Sequence, residues 1–165
     1  MIRLVRLSLI VNLFFLMSCG QSESVRLNLD DMNIPTEDGK PFKMLVYYDS
    51  IGCFDCKMKE FLSWGTMLNY FENSHQECPI YFVLSPKAAD SARIFNSLSV
   101  LSEYGNITLD HDYAFARNNP ILHDSKYRGL NYVVDSNNFV RLSGRFLRDR
   151  KDFKKCESFL LRYVK

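Results

Sequence analysis

Two thiols three positions apart, Cys53 and Cys56, stand where an apolar run has just ended and a helical pattern begins. That location matters more than the spacing. The unpaired N–H groups and positive dipole end at a helix start stabilise a thiolate. In such motifs the thiol pKa falls to ~3.5–7.5, from ~8.5 for free cysteine. A second cysteine one turn on lies close enough to attack a mixed disulfide at the first. The expected chemistry is dithiol–disulfide exchange, with Cys53 as nucleophile and Cys56 as resolving thiol.

The same pair admits a metal reading, because His75-x2-Cys78 follows it and completes a Cys3His set. A helix over 54–72 weighs against that set. It would extend about 28 Å and leave His75 at the far end, whereas all ligands must lie within ~2.0–2.3 Å of one ion. His111 and His123 offer no clear match to a copper site, so neither metal nor organic cofactor is expected. Cys156 falls on the apolar face of a terminal helix and reads as a small core residue, as does Cys78. A structural Cys78–Cys156 disulfide stays open, since sequence does not give their separation.

The elements that must hold the pair follow from periodicity. Residues 43–48 and 79–84 are short apolar, aromatic runs, as buried strands are. Between them Phe54, Met58, Phe61, Leu62 and Leu68 recur at three- and four-residue steps. Ser85-Pro86 opens a helix that runs to about residue 104, where Gly105 ends it. A strand over 107–109 and a short helix over 112–118 come next. Residues 130–134 and 139–143 flank the turn cluster Asp135-Ser-Asn-Asn138 and predict an antiparallel hairpin. A last helix spans 149–163. Strand and helix alternate before the hairpin, so the expected fold is α/β, a central mixed sheet with helices on both faces.

The N-terminus predicts an address rather than a fold. Arg3 and Arg6 precede an apolar run that ends at Ser18-Cys19-Gly20, the layout of a secretory signal. The run is short for a span, which takes about 20 apolar residues. Leu16-Met17-Ser18-Cys19 resembles the lipobox of bacterial lipoproteins, which implies cleavage before Cys19 and lipid on its thiol. The expected division is a signal over 1–18, a lipidated cysteine and tether over 19–40 with one short strand at 25–29, and a domain over 41–165. Outside the cytoplasm disulfides persist. Gly20, rather than an acid, argues for the outer membrane, facing the periplasm.

The alternation of elements around Cys53 and Cys56 resembles the thioredoxin-like superfamily, and within it the extracytoplasmic TlpA-type lipoproteins common in Bacteroidota. The resemblance spans about residues 40–165. It rests on Tyr47-Tyr-Asp-Ser-Ile-Gly-Cys-Phe-Asp-Cys-Lys57 and Arg128-Gly-Leu-Asn-Tyr-Val-Val-Asp135. It implies a thioredoxin fold and exchange with protein thiols and disulfides, helped by a redox partner. Three positions depart from the family. Gly52 stands where an aromatic residue precedes the first cysteine, and Tyr47 where thioredoxin buries an acid. Asn131 stands where a cis-proline faces the dithiol, so Leu130 and Asn131 are the residues expected to meet a substrate backbone. A cis bond before a non-proline residue costs ~2.5–4 kcal/mol, so a trans Leu130–Asn131 bond is expected. Asp55, between the cysteines, disfavours a thiolate and points to a weaker oxidant than the DsbA-type proteins, or to a reductant.

With 47% hydrophobic, 14% aromatic and 24% charged residues, the chain is neither disordered nor low in complexity. Its 165 residues suit one domain, expected as a monomer. The 21 basic and 19 acidic residues leave a net charge of +2, with no basic stretch for nucleic acid. Fold alone does not settle function, so a thioredoxin-fold binding or assembly module without catalysis is the alternative to an oxidoreductase.

Overall fold

The computed structural model describes residues 25–35, 39–48, 78–85, 98–99, 102–103, 105–110, 112–124, 131–146 and 148–163. The helix expected over 54–72 lies outside them, as does most of the one expected from Ser85 to about residue 104. Of the latter, Leu98, Ser99 and Ser102 are described and helical.

The described elements include five strands and two α-helices. They are β1 (Phe42–Tyr48), β2 (Ile80–Leu84), β3 (Asn106–Leu109), α1 (Ala114–Asn118), β4 (Asn131–Asp135), β5 (Val140–Gly144) and α2 (Arg150–Tyr163). The strands form one sheet in the order β3-β2-β1-β4-β5. β1 pairs parallel with β2, and β2 with β3. β4 runs antiparallel to both β1 and β5. The expected mixed sheet is present. So is the expected hairpin, with Asp135 and Asn138 closing its turn through an Asn138 N–H bond to the Asp135 carbonyl at 2.9 Å.

The central strands are apolar throughout because both faces are covered. On one face Met44, Val46, Ile80, Phe82, Leu84 and Val133 pack against Cys156 and Leu160 of α2. On the other Leu45, Tyr47, Tyr81, Val83, Tyr132 and Val134 meet Phe115 of α1 and Leu122. Residues i and i+2 of each strand share a face, so each strand feeds both cores. Helices therefore lie on both faces, as the sequence predicts.

The tether expectation differs from the structure over residues 25–35. Leu27, Leu29, Met32 and Ile34 are all buried in the second core, with a 3-10 helix at Asp30–Met32. The strand expected over 25–29 is reduced to one antiparallel bridge, Arg26 to Phe139, along the outer edge of β5. Val140 N–H donates to the Val25 carbonyl at 2.8 Å, and Leu27 N–H to the Asn138 carbonyl at 2.9 Å. The polar residues in this stretch hid the period: four apolar side chains at irregular steps make neither a strand nor a helix pattern, yet all reach one core. Lys43 of β1 is also fully buried, and its ammonium donates to the Pro35 carbonyl. That bond ties the end of the segment to the sheet.

Candidate functional site

Parallel pairing requires the chain to return to the same end of the sheet between β1 and β2, and again between β2 and β3. The carboxyl ends of β1, β2 and β3 therefore lie together, at Tyr48, Leu84 and Leu109. β4, antiparallel to β1, begins at this end with Asn131, and β5 finishes there with Gly144. In register, Asn131 sits between Val46 and Gly144. Open α/β sheets bind their ligands at such an end, outside the carboxyl ends of parallel strands. Cys53 follows Tyr48 by five positions in the chain.

Cys53, Cys56, Leu130 and Cys19 lie outside the described residues, as does the Leu130–Asn131 bond. Of the proposed zinc ligands only Cys78 is described. Among the described residues no three His, Cys, Asp or Glu side chains are grouped to hold a metal ion. Asn131, expected on a substrate-facing loop, is the first residue of β4 and only 8% exposed. Its neighbours in the pairing, β1 and β5, close over it from both sides.

Tyr47, where the buried acid was sought, belongs to the second core. Its ring lies 4.9 Å from that of Phe115, centroid to centroid. Among the described residues a buried acid at this end of the sheet is Asp110, just after β3 and 2% exposed. One Asp110 oxygen accepts from the Ala114 N–H at 2.7 Å, and the other from the Phe115 N–H at 3.1 Å. The Ser85 hydroxyl donates to that second oxygen at 3.1 Å. Asp110 thus starts α1 and joins the ends of β2 and β3. It explains why α1 begins at Ala114 rather than at residue 112. Sequence reading passed over Asp110, although an acid just ahead of a short helix is a helix-start signal.

A cleft of about 560 Å³ opens on the second face at this end, lined by Tyr47, Tyr113, Ala116, Arg117, Pro120, Leu122 and His123. Tyr113 holds a left-handed backbone (φ 53°) and is 40% exposed. Arg117 donates to the Asp112 carbonyl at 3.2 Å, which sets its guanidinium at the rim. The cleft offers apolar and aromatic walls with one fixed cation.

Cys156 carries a free thiol in the structure. Cys156 is fully buried in the first core, and burial pushes its thiol up to about 12. A thiol held so far above neutral pH is an inert core residue.

These relationships agree with solved structures. A thioredoxin-like protein in its oxidised form superposes with a TM-score of 0.57 at 16% identity, covering 88% of this chain and all of that one. The fold is that of thioredoxin. A thiol:disulfide interchange protein from Bacteroides sp. matches with a TM-score of 0.54 at 14% identity, over 83% of this chain and 85% of that one. A thioredoxin-like protein from Porphyromonas gingivalis also gives 0.54, at 13% identity, over 87% and 92%. No family model matches the chain, and no curated protein matches it. In this thioredoxin fold the β1 exit and the β4 entry are neighbours, as the paired register of Val46 and Asn131 requires.

Proposed function

We propose that the chain is a lipid-anchored thiol–disulfide oxidoreductase of the bacterial envelope, acting on protein thiols and disulfides through Cys53 and Cys56. The observation that carries this reading is the pairing of Val46 with Asn131. It sets the exit of β1, which leads to Cys53, beside the start of β4. The Cys53 thiolate attacks one sulfur of a substrate disulfide, forming a mixed disulfide and releasing the other substrate sulfur as a thiolate. The Cys56 thiolate then attacks the Cys53 sulfur, releasing the second substrate thiolate and leaving a Cys53–Cys56 disulfide. Two electrons pass to the substrate, and a separate redox partner returns them. Run backwards, the same steps oxidise a substrate dithiol. The cleft beside Tyr47 and Tyr113 is the surface on which a substrate chain would rest.

The test is the reduction potential of the Cys53/Cys56 pair. A value near −270 mV assigns a reductant, and one near about −120 mV an oxidant. A pair that forms no disulfide across that range overturns the redox reading and leaves a binding module. The anchor is tested separately: Cys19→Ala is expected to leave an uncleaved precursor or a chain released by carbonate and salt washing. Retention of a cleaved chain on washed membranes removes the lipid from the proposal, and with it the outer-membrane location facing the periplasm.

A further inference from the structure

A second groove, of about 820 Å³, lies between β5 and α2, with Leu142, Phe159 and Tyr163 as its apolar floor. Its rim carries five cations, Arg150, Lys151, Lys154, Lys155 and Arg162, and no carboxylate lines it among the described residues. Lys151, Lys154, Lys155 and Arg162, with Ser158 between the last two, fall at three-, four- and seven-residue separations, so these four cations share one stripe of the helix. Of the acids on α2, Asp152 and Glu157, neither lines the groove; Asp152 accepts from the Arg145 N–H at 3.0 Å and meets the Lys155 ammonium at 3.4 Å. That exposed pair offsets little of the charge.

The groove has a definite place relative to the candidate site. Phe159 and Tyr163 pack edge-on against Phe42, with centroids 5.1 and 6.2 Å away. Phe42 opens β1, so the last turn of α2 lies at the end of the sheet opposite Tyr48 and Asn131. Leu161 and Tyr163 there are 55% and 54% exposed. Residue 25 meets β5 on its outer edge, through the Val140 N–H bond. Cys19 precedes Val25 by six positions. Six extended residues reach at most ~21 Å, so an anchor on Cys19 keeps this edge of the domain near its bilayer.

We propose that the α2 groove docks the domain onto an anionic lipid surface, its cations on headgroup phosphates and its aromatic floor in the interfacial layer. The inference rests on the anchored reading above. Cationic helices with apolar flanks bind such surfaces through both terms.

The test uses a chain from residue 19 onward with Cys19→Ser, which keeps every described element. Its binding is measured to phosphatidylcholine vesicles with and without phosphatidylglycerol. Binding only to the anionic vesicles, weakened by salt, is expected. The triple variant Lys151→Gln, Lys154→Gln, Arg162→Gln is expected to lose roughly 100-fold in affinity, about fivefold per cation, at an unchanged melting temperature. Equal binding to both vesicles, no binding to either, or a triple variant that binds undiminished overturns the proposal. Salt-insensitive binding of the unaltered chain overturns it independently of any variant. Binding to polyglutamate but not to anionic vesicles overturns it in favour of an acidic protein partner. The vesicle measurement needs no lipid on Cys19, so its failure is distinct from retention of Cys19→Ala on membranes.

Discussion

The side-chain amide of Asn119 bonds both ways to the backbone of Asn28: its oxygen accepts from the Asn28 N–H at 2.6 Å, and its nitrogen donates to the Asn28 carbonyl at 2.9 Å. The same nitrogen donates to the Phe115 carbonyl at 2.7 Å. One amide, 3% exposed, thus clamps residues 25–35 to the end of α1. Removing it leaves buried backbone groups without partners, at ~1–3 kcal/mol for each such group. Asn119→Ala is expected to lower unfolding stability in urea by about 3 kcal/mol. An unchanged midpoint would show that the apolar side chains hold the segment alone.

Asp135 makes the hairpin pH-sensitive. Burial raises its pKa, but bonds from the Phe139 N–H, the Arg141 side chain and the Asn137 N–H outweigh that, and the net shift is downward from 3.8. Arg141 meets it at 2.5 Å. A carboxylate with a depressed folded pKa stabilises fully above its unfolded value and loses that contribution as pH falls through the folded one. Asp135→Asn is therefore expected to cost about 1 kcal/mol at neutral pH, and progressively less as pH falls below 3.8 and through the lower folded value, where both chains become uncharged at this position. Equal cost at both pH values, read by urea titration, would contradict the assignment.

The thiols are expected to separate cleanly by reactivity. Iodoacetamide at neutral pH should alkylate Cys53 fastest in the reduced, folded protein and leave Cys156 unmodified until denaturant is added, by mass spectrometry. The basis is the fully buried site and raised pKa of Cys156. Cys56→Ser should accumulate mixed disulfides, because the resolving attack is lost, whereas Cys53→Ser should trap few. The opposite trapping pattern would exchange the two roles.

Asn131 carries a prediction that its place in β4 sharpens. A residue 8% exposed between two strands is not the free loop position that its sequence context implies. Buried polar side chains are almost always hydrogen-bonded, so Asn131→Ala should cost about 1–3 kcal/mol, more than a surface change. In the Cys56→Ser background it should also reduce capture of substrate as mixed disulfide. Unchanged capture at reduced stability would assign Asn131 to the fold alone.

The alternation of apolar runs, the hairpin turn at residues 135–138, the apolar face of α2 and the Cys53/Cys56 spacing all stand in the sequence. They are local, written in neighbouring residues whose period sets one element each. That was enough for a mixed α/β sheet and for a core role for Cys156. Three features were decided only by tertiary structure. Asp110 is buried and bonded to Ser85 because β2 and β3 finish side by side there. Asn131 is buried because β1 and β5 flank the start of β4. Residues 25–35 join the core through Leu27, Leu29, Met32 and Ile34 and through Asn119, 91 positions away from Asn28. Contacts between residues so distant in sequence leave no period to read; they exist only once the strands have paired.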